Sequence, residues 1–317
     1  MTRRVLLKLT LGAFGAYLLP IRMAFSARGK KIIPETDIPV TSNRDFYVQS
    51  VGDSPRIKER DWQLIMEGMV SKPRAWSYSA LKSRPSKEYM VTLACIGNQP
   101  GGEQIGNAVW KGFLLEDLLA EVMLEPGANR LIFECADIFT SSSSVDQLFG
   151  SGSILAYEMN GKKLGRDHGF PLRLIQPGCY GMKSPKWIRK IIATADEHKG
   201  YWENFGWSDR GFIQLTTRID DHISNHTLRG VALNGQKAIE RVEVSLDDGL
   251  TWQEADLEQT ERSVVWSQWS LDLGDRKGDL TVVCRAINQD GETQNPKDSN
   301  PFPDGASAPD RQRFRLL

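Results

Sequence analysis

Residues 154–187 read ILAYEMNGKKLGRDHGFPLRLIQPGCYGMKSPKW, and this stretch carries most of what the sequence says about the fold. It holds two short apolar runs, at 154–159 and 172–175, of the kind that forms buried strands. Each run stops at turn-forming residues, Asn160-Gly161 after the first and Pro177-Gly178 after the second. The stretch therefore predicts short strands joined by long loops.

The sequence before this stretch extends the pattern into a mixed α+β domain. Residues 114–122 carry apolar side chains at helical spacing, with acidic residues on the other face, which predicts one amphipathic helix. Cys95 is expected at the end of a strand, directly before a glycine-rich turn at 97–102. Further strands are predicted at 62–70, 89–95, 130–135 and 187–195.

The pattern of predicted secondary structure changes after about residue 215. Regular short strands with turn signals and no convincing helix are typical of a β-sandwich. Asp247-Asp248-Gly249 is a hairpin turn signal within this part. We therefore predict an α+β domain over 28–218, with an irregular segment at 28–60, followed by an immunoglobulin-like β-sandwich over 219–317.

The first 27 residues predict an export signal. Arg3, Arg4 and Lys8 precede an apolar run at 9–19, and small residues follow at 24–27. The run has 11 residues, fewer than the ~20 that a membrane span needs. The arginine pair resembles a twin-arginine signal, which carries folded proteins to the periplasm. A general secretory signal is the first alternative, and an uncleaved signal that anchors the protein is the second.

Charge and cysteine content exclude several classes of protein. Lys+Arg and Asp+Glu each total 40, so the formal net charge is zero and no nucleic-acid partner is indicated. Cys95, Cys135, Cys179 and Cys284 form no CxxC pair, which excludes zinc-ribbon, thioredoxin-like and c-type haem motifs. Free thiols are expected because twin-arginine substrates fold in the cytoplasm, but the wide spacing leaves a disulfide open.

Cys95 is a candidate metal ligand on chemical grounds. Its thiolate is a soft ligand that suits a soft or high-valent metal, and the glycines that follow allow a ligand to approach the backbone closely. A buried structural role is the commoner fate of a lone cysteine. From its local sequence alone, the structural role is favoured.

The stretch at 154–187 closely resembles the signature of the sulfite oxidase family of molybdopterin enzymes. The family pattern runs LAYEMNG, RDHGFPLR and PGxxGxxSxKW, matched here at 155–161, 166–173 and 177–187. Cys95, with Gly97 and Asn98, matches the C-x-G-N context of the family's metal cysteine. Further similarity at 110–115, 200–203 and 241–252 extends the resemblance over about residues 40–317.

The resemblance implies a sulfite oxidase fold, in which a mixed α/β molybdopterin-binding domain precedes the sandwich. It implies a molybdenum–molybdopterin cofactor, metal ligation by Cys95, and a catalytic role for Tyr157 near the metal, with a core position in a strand as the alternative for that tyrosine. The residues then expected to bind the cofactor are Phe46, Tyr47, Asn98, Asp137, Thr140, His168, Arg173, Lys183, Ser184 and Lys186. A buried phosphate needs cationic and hydrogen-bonding partners of this kind.

The sequence departs from the family at positions that concern the substrate. Sulfite oxidases carry F-x-V-R-N in the N-terminal segment and C-x-G-N-R-R after the cysteine, and those arginines help to surround the anionic substrate. Gln49, Ser50, Gln99 and Pro100 stand there in this chain. Because an unpaired buried charge is costly, the departures argue against efficient sulfite oxidation and favour a less charged substrate, such as a sulfoxide or N-oxide. Cationic side chains from the C-terminal domain would be needed to replace the positive charge of those arginines.

We therefore predict an exported molybdenum oxidoreductase that transfers an oxygen atom to or from a small molecule. An S- or N-oxide reductase of the same family and a non-catalytic scaffold that retains the fold are the alternatives. Electrons are expected to pass through an external carrier, a c-type cytochrome or a quinol-linked membrane protein, because the chain has no haem-attachment motif. The sandwich is the dimerisation domain of several family members, so the resemblance allows a homodimer.

Overall fold

The structure is a computed structural model that describes residues 30–220 and 226–316. The export signal predicted at 1–27 lies outside the described residues and stays a prediction. Within the two described ranges, no helix is long and apolar enough to cross a membrane. All four cysteines fall in these ranges, and each is a free thiol.

The first domain contains two β-sheets joined by short helices and long loops. The strands of the chain up to residue 200 are β1 Lys30–Ile32, β2 Gln63–Gly68, β3 Arg74–Ser77, β4 Lys87–Ala94, β5 Ile105–Leu114, β6 Arg130–Cys135, β7 Thr140–Ser144, β8 Ile154–Met159, β9 Lys162–Lys163, β10 Arg173–Ile175 and β11 Ile188–Thr194. The α-helices are α1 Tyr78–Lys82, α2 Leu115–Val122 and α3 Val145–Leu148. Short 3-10 helices lie at Glu35–Asp37, Glu59–Asp61, Arg166–His168, Gly181–Lys183 and Glu203–Phe205.

The core of this domain lies between its two sheets. One sheet has the order β10-β8-β5-β4, with β9 paired to β8, and the other has the order β3-β2-β11-β6-β7. Side chains from both sheets form one apolar cluster, which includes Trp62, Phe113 and Phe133. The helix predicted at 114–122 is confirmed as α2, and it buries its apolar face in the same cluster. Burial of such side chains contributes about 1.5–3 kcal/mol each.

The β4–β5 hairpin positions Cys95. The two strands pair antiparallel from Lys87 opposite Gly112 to Ala94 opposite Ile105, so Cys95 is the first residue of the connecting turn. Beyond the hairpin, β5 lies so close to β8 that a Cβ at Gly112 would overlap the carbonyl of Leu155. Only glycine permits this approach of two backbones.

The second domain is a two-layer β-sandwich, as the sequence predicts. Its remaining strands are β12 Thr216–Ile219, β13 Thr227–Leu233, β14 Ile239–Ser245, β15 Gln253–Glu254, β16 Asp256–Gln259, β17 Ser267–Asp272, β18 Gly278–Asn288 and β19 Asp310–Leu316. The sheets have the orders β1-β16-β17-β13-β12 and β15-β14-β18-β19. Leu228, Val242, Trp269 and Val282 belong to the apolar core that the two sheets enclose.

One strand of the sandwich comes from the segment before the first domain. We expected residues 28–60 to be irregular and to belong to the α+β domain, but β1 pairs in parallel with β16. The strand has three residues, all exposed, so it carries no apolar alternation by which the sequence could have revealed it. The remaining part of the segment up to Asp61 contains only 3-10 turns and irregular backbone.

The sandwich supports the turn that follows Cys95. Asp310 is 4% exposed, and its carboxylate lies so close to Gly101 that a Cβ there would overlap it. Asp310 is itself fixed, because its Oδ2 accepts a hydrogen bond of 2.7 Å from the backbone N–H of Ile219. The C-terminal domain therefore helps to hold the cysteine turn in place.

Candidate active site

A cavity of about 270 Å³ lies in the first domain, close to the lower end of the ~300–1,000 Å³ typical of small-molecule sites. Its lining comes from segments that are distant in the sequence: parts of 46–51, 95–97, 137–139, 167–173 and 181–187, with Gln104, Trp202 and Trp207. These segments are loops and strand ends, where polar side chains can converge without interrupting a sheet. Among the described residues, the sandwich contributes none to the lining.

Cys95 faces this cavity from the end of β4. Its backbone N–H donates to the carbonyl of Gln104 at 2.9 Å, and its carbonyl accepts from the N–H of Asn98 at 3.1 Å. Burial raises the pKa of the thiol, opposed only by a hydrogen bond from the Gly97 backbone. Within residues 30–220 and 226–316, no cationic side chain therefore stabilises the thiolate of Cys95.

Arg173 lines the same cavity and carries an unsatisfied donor. Its guanidinium donates to the carbonyls of His168 at 3.2 Å and Ser184 at 3.1 Å, and lies 4.9 Å from the ring of Trp110. Nε is buried and has no hydrogen-bond partner among the described residues. Burial lowers the pKa of Arg173 to about 10. A buried cation with a free donor indicates an anionic ligand, because such a donor is costly when it is unpaired.

Lys186 and His168 complete a polar cluster around Arg173. Lys186 Nζ donates to Ser50 Oγ and to the carbonyl of Asp167, both at 2.9 Å. Burial, and then repulsion from Arg173, lowers the pKa of Lys186 to about 7. His168 Nε2 lies 2.7 Å from the carbonyl of Asn43, so it carries the hydrogen and donates. Burial lowers the pKa of His168, which favours the neutral ring.

Of the other residues that the sequence predicts to bind the cofactor, Phe46, Tyr47, Asp137 and Ser184 line the cavity. Phe46 stacks on Tyr47 with ring centroids 5.4 Å apart, and meets His168 edge-on at 5.9 Å. The space that a Cβ at Gly181 would fill lies 2.7 Å from the Tyr47 hydroxyl, so Gly181 leaves room for this ring. Burial raises the pKa values of Tyr47 and Asp137.

Lys183 does not reach the cavity, contrary to our expectation. Its side chain is fully buried, and Nζ pairs with the carboxylate of Glu203 and donates to the carbonyl of Ser142 at 2.8 Å. An ammonium that is neutralised by a carboxylate is not available to an anionic ligand. The position of Lys183 in the family motif could not reveal this partner, which lies 20 residues further along the chain.

Tyr157 does not line the cavity either, which corrects the expectation that it lies near the metal. Residues of β8 alternate between the two faces of the sheet: Ala156 joins an apolar cluster with Phe46, whereas Tyr157 joins the core between the sheets. The Lys82 ammonium lies 5.9 Å from its ring. Tyr157 is therefore the core tyrosine that the sequence offered as its alternative.

Thr140 and Asn98 are not in the cavity lining either. Thr140 begins β7, and its carbonyl accepts a 2.9 Å hydrogen bond from the N–H of Tyr201. Asn98 closes its own turn: its Oδ1 accepts from the Gln104 N–H at 3.0 Å, and its Nδ2 donates to the Gly102 carbonyl at 3.4 Å. Asn98 thus shapes the backbone beside Cys95.

The sequence did not reveal the aromatic side of the cavity. Trp202 and Trp207 line it together with Phe139. The Trp207 indole and the Cys95 thiol are each 3.9 Å from the position that a Cβ at Gly97 would occupy. The signal was present as the dense aromatic loop Tyr201, Trp202, Phe205 and Trp207, whose side chains follow neither a helical nor a strand period.

The four positions at which the chain departs from the arginine-containing family motifs fall into two groups. Gln49 and Ser50 line the cavity, whereas Gln99 and Pro100 do not. Arg173 and Lys186 are the only Arg or Lys side chains in its lining within the described residues, and no residue of the C-terminal domain compensates. The region beside Cys95 instead offers neutral amides, since Gln104 Nε2 donates to Gln49 Oε1 at 3.4 Å.

The depressed pKa of Lys186 predicts how the stability of the cofactor-free protein changes with pH. In the folded protein the pKa is about 7, against ~10.4 in an unfolded chain. Between these values the unfolded chain holds a proton that the folded chain lacks, so the contribution of Lys186 to the free energy of unfolding rises with pH from about 7 to about 10. Urea unfolding of the wild type should show this rise, and Lys186→Met should remove it. Equal slopes for the two proteins would contradict the prediction.

Two protein-family models match the chain. The model described as "oxidoreductase molybdopterin binding domain" matches residues 51–202, and the model described as "Mo-co oxidoreductase dimerisation domain" matches residues 213–300. The first range includes Cys95 and most of the cavity lining, and the second covers most of the sandwich.

Individual proteins are similar over most of this chain. The mitochondrial sulfite oxidase of Drosophila melanogaster is 30% identical over 78% of this chain and 54% of its own length. The sulfite oxidase of Arabidopsis thaliana is 29% identical over 66% of this chain and 68% of its own. Nitrate reductase [NADH] 1 of Nicotiana tabacum is 29% identical over 72% of this chain, which spans only 33% of that protein.

A solved structure has a similar fold. The sulfane dehydrogenase SoxCD from Paracoccus pantotrophus aligns with a TM-score of 0.72, over 97% of this chain and 95% of that chain. The sequence identity is 20%, so this similarity shows the fold alone.

Proposed function

The chain belongs to the sulfite oxidase family of molybdopterin-dependent oxidoreductases, and from that premise we propose that it is an exported enzyme that transfers an oxygen atom to or from a small molecule. One observation carries the proposal most directly: Cys95 and Arg173 line the same cavity, and Arg173 carries a buried Nε that has no partner among the described residues. A metal ligand and an anion partner thus occur together, as a phosphate-bearing metal cofactor requires.

The residues of the cavity fit molybdenum–molybdopterin, which is the cofactor of the family. Arg173 Nε is buried without a partner among the described residues, and a phosphate oxygen would satisfy it. Lys186 adds a second positive charge, since an adjacent phosphate would raise its pKa from about 7 and keep it protonated. When bound, the cofactor supplies the redox chemistry of oxygen transfer, while the protein supplies binding and electrostatics.

The protein groups have separate tasks. Cys95 would supply the single thiolate ligand from the protein, and it must lose its proton because only the thiolate binds metals well. Arg173 and Lys186 would hold the phosphate, with His168 as a neutral hydrogen-bonding neighbour. Phe46 and Tyr47 form an apolar wall beside this polar cluster.

The substrate that this site favours carries little charge. Sulfite is doubly charged when fully ionised, and the described residues place no arginine or lysine beside Cys95 apart from the two that face the phosphate site. Gln49 and Gln104 offer amide hydrogens, which suit the oxygen of a neutral S- or N-oxide. We therefore favour oxygen transfer with such a substrate over rapid oxidation of sulfite.

The remaining parts of the proposal concern partners and location. The basic and apolar N-terminal sequence supports export by the twin-arginine route. The four cysteines form no haem-attachment motif, which supports electron exchange with a separate carrier, a c-type cytochrome or a quinol-linked membrane protein. The match of residues 213–300 to a dimerisation-domain model supports a homodimer.

The decisive experiment is metal and pterin analysis of the protein matured in a host that makes the cofactor. We expect molybdenum and pterin in equal, stoichiometric amounts, and their absence would overturn the enzyme proposal. Turnover of sulfite, dimethyl sulfoxide and trimethylamine N-oxide with artificial electron carriers then tests the substrate. Sulfite turnover that exceeds that of both oxides would show that the missing arginines do not decide the substrate.

A further inference from the structure

Four exposed apolar side chains lie next to residues that line the cavity. Val48, Ile138, Phe205 and Phe302 are 49%, 72%, 62% and 48% exposed, and we call them the apolar rim. Val48 and Ile138 are each flanked in sequence by two lining residues. Phe205 lies 6.3 Å from the Trp202 ring, and Phe302 lies 5.2 Å from the Trp207 ring. The two phenylalanines contact lining tryptophans and the two aliphatic residues adjoin lining residues in the sequence, while all four side chains are exposed to solvent. We therefore place them at the edge of the opening.

Two groups of aromatic side chains lie between the rim and Cys95. Phe302 meets Trp207 edge-on, and the Trp207 indole and the Cys95 thiol flank Gly97 at equal distances of 3.9 Å from its missing Cβ. On the other side, Tyr201 contacts Phe139, Trp202 and Phe205 with centroid distances of 6.1, 5.2 and 5.3 Å. A ligand beside Cys95 would therefore lie close to the Trp207 indole.

Charge on this side of the cavity is low, while a neutral donor is available. Arg173 and Lys186 donate hydrogen bonds to the carbonyls of His168 and Asp167. Their cation–π contacts within the described residues are with Trp110 and Trp187, and not with Trp202 or Trp207. Gln104 donates to the Gln49 carbonyl oxygen, which leaves the Gln49 amide hydrogens without a partner in the part of the chain that the structure describes. This amide can bind an oxide oxygen without adding charge.

Exposure of the apolar rim to water is unfavourable unless a ligand covers it. Exposed apolar patches of this kind usually mark a binding surface. A substrate substituent of apolar character would remove part of this surface from water, and burial of apolar area is favourable by about 25 cal/mol per Å². Edge and face contacts with Trp207 and Phe302 would add to this for an aromatic group.

We propose that the substrate is an uncharged sulfoxide or its sulfide whose apolar substituent, aromatic or branched, packs against Trp207 and the apolar rim. This inference rests on the proposed function and names its substrate class. The couple is R₂S=O + 2 H⁺ + 2 e⁻ ⇌ R₂S + H₂O, in which the S=O bond breaks, its oxygen leaves as water, and the external carrier supplies or accepts both electrons.

The test compares methyl phenyl sulfoxide with dimethyl sulfoxide on the cofactor-loaded protein. We expect kcat/KM to be higher for the phenyl compound, and the ratio of the two values to fall about tenfold in Phe302→Ser and in Phe205→Ser, because each loses part of the apolar contact. Leu250→Ser is the matched control: Leu250 is 83% exposed and does not line the cavity, so its ratio should equal that of the wild type.

A binding measurement separates this inference from the proposed function. Methyl phenyl sulfone, which serves as an unreduced analogue, should quench indole fluorescence in the wild type and bind about tenfold more weakly to the two rim variants. Loaded protein that lacks both the phenyl preference and the quenching would overturn the inference while the enzyme proposal stands. Rim variants that slow every substrate equally would also overturn it, and would assign the rim to the electron carrier. Protein without molybdenum would overturn the proposed function, while quenching by the sulfone would still support the apolar site.

Discussion

Cys95→Ser is expected to abolish turnover while the protein still retains pterin. The cluster around Arg173 and Lys186 is built from other segments, so it should hold the phosphate without the thiol. The hydroxyl of serine is a poor substitute for a soft thiolate. Substitution of residues that merely orient a metal ligand costs about 10–100-fold in activity, so loss of the ligand itself should lower kcat by more than about 100-fold.

The measurements are molybdenum content, pterin content and steady-state rate on the same preparations. Cys135→Ser is the matched control, because Cys135 is also a partly exposed free thiol in this domain but does not line the cavity. We expect it to keep both metal and rate. A Cys95→Ser protein with wild-type turnover would show that the thiolate is not the ligand.

Glu203→Gln is expected to destabilise the fold by about 3–5 kcal/mol, because it leaves the Lys183 ammonium buried without its counter-charge. The Lys183 and Glu203 side chains are 0% and 2% exposed, so water cannot replace the lost carboxylate. The pair also joins two walls of the cavity, since Lys183 adjoins Met182 and Glu203 adjoins Trp202. Weaker retention of the cofactor should accompany the loss of stability.

Urea unfolding at pH 7 measures this effect. Asp248→Asn is the control, because it breaks the Arg311–Asp248 pair, whose side chains are 54% and 48% exposed, and exposed pairs contribute only about 0–1 kcal/mol. The double variant Lys183→Met/Glu203→Gln should recover part of the loss, since it removes the stranded charge. Equal costs for Glu203→Gln and Asp248→Asn would refute the importance of this buried pair.

The parts of the fold that the sequence predicted are those with helical apolar spacing or an uninterrupted apolar run. Helix α2 shows the first signal and strand β8 the second, and both lie where we predicted them. Strand β5 was missed because glycine, asparagine and lysine interrupt its apolar residues, although most of the strand is buried. Strand β7 was missed because it consists of Thr and Ser and has no apolar side chains. Its buried hydroxyls bond to other segments: Ser141 Oγ, for example, donates to the Met182 carbonyl at 2.9 Å.

The sequence could predict the site residues only where the family motif identifies them directly. The family motif located Cys95, His168, Arg173 and Lys186, and the structure brings all four to one cavity. The motif could not show which face of β8 carries Tyr157, nor could it show that Glu203 neutralises Lys183. These two outcomes depend on sheet pairing and on a distant partner, which only the folded chain determines.

The pairing of β1 with β16 has a consequence for the order of folding. Lys30 lies opposite Leu257 in this pair, so the ribosome must release nearly the whole chain before the edge of the C-terminal sheet can close. The residues between the two strands include the cofactor cavity and also strands β12 to β15 of the sandwich. Pairing β1 with β16 closes all of them into one long loop. Closing such a loop has a high entropic cost and raises the contact order. The cofactor cavity thus lies within a loop that the β1–β16 pairing closes, and β16 belongs to the half of the chain that is synthesised last.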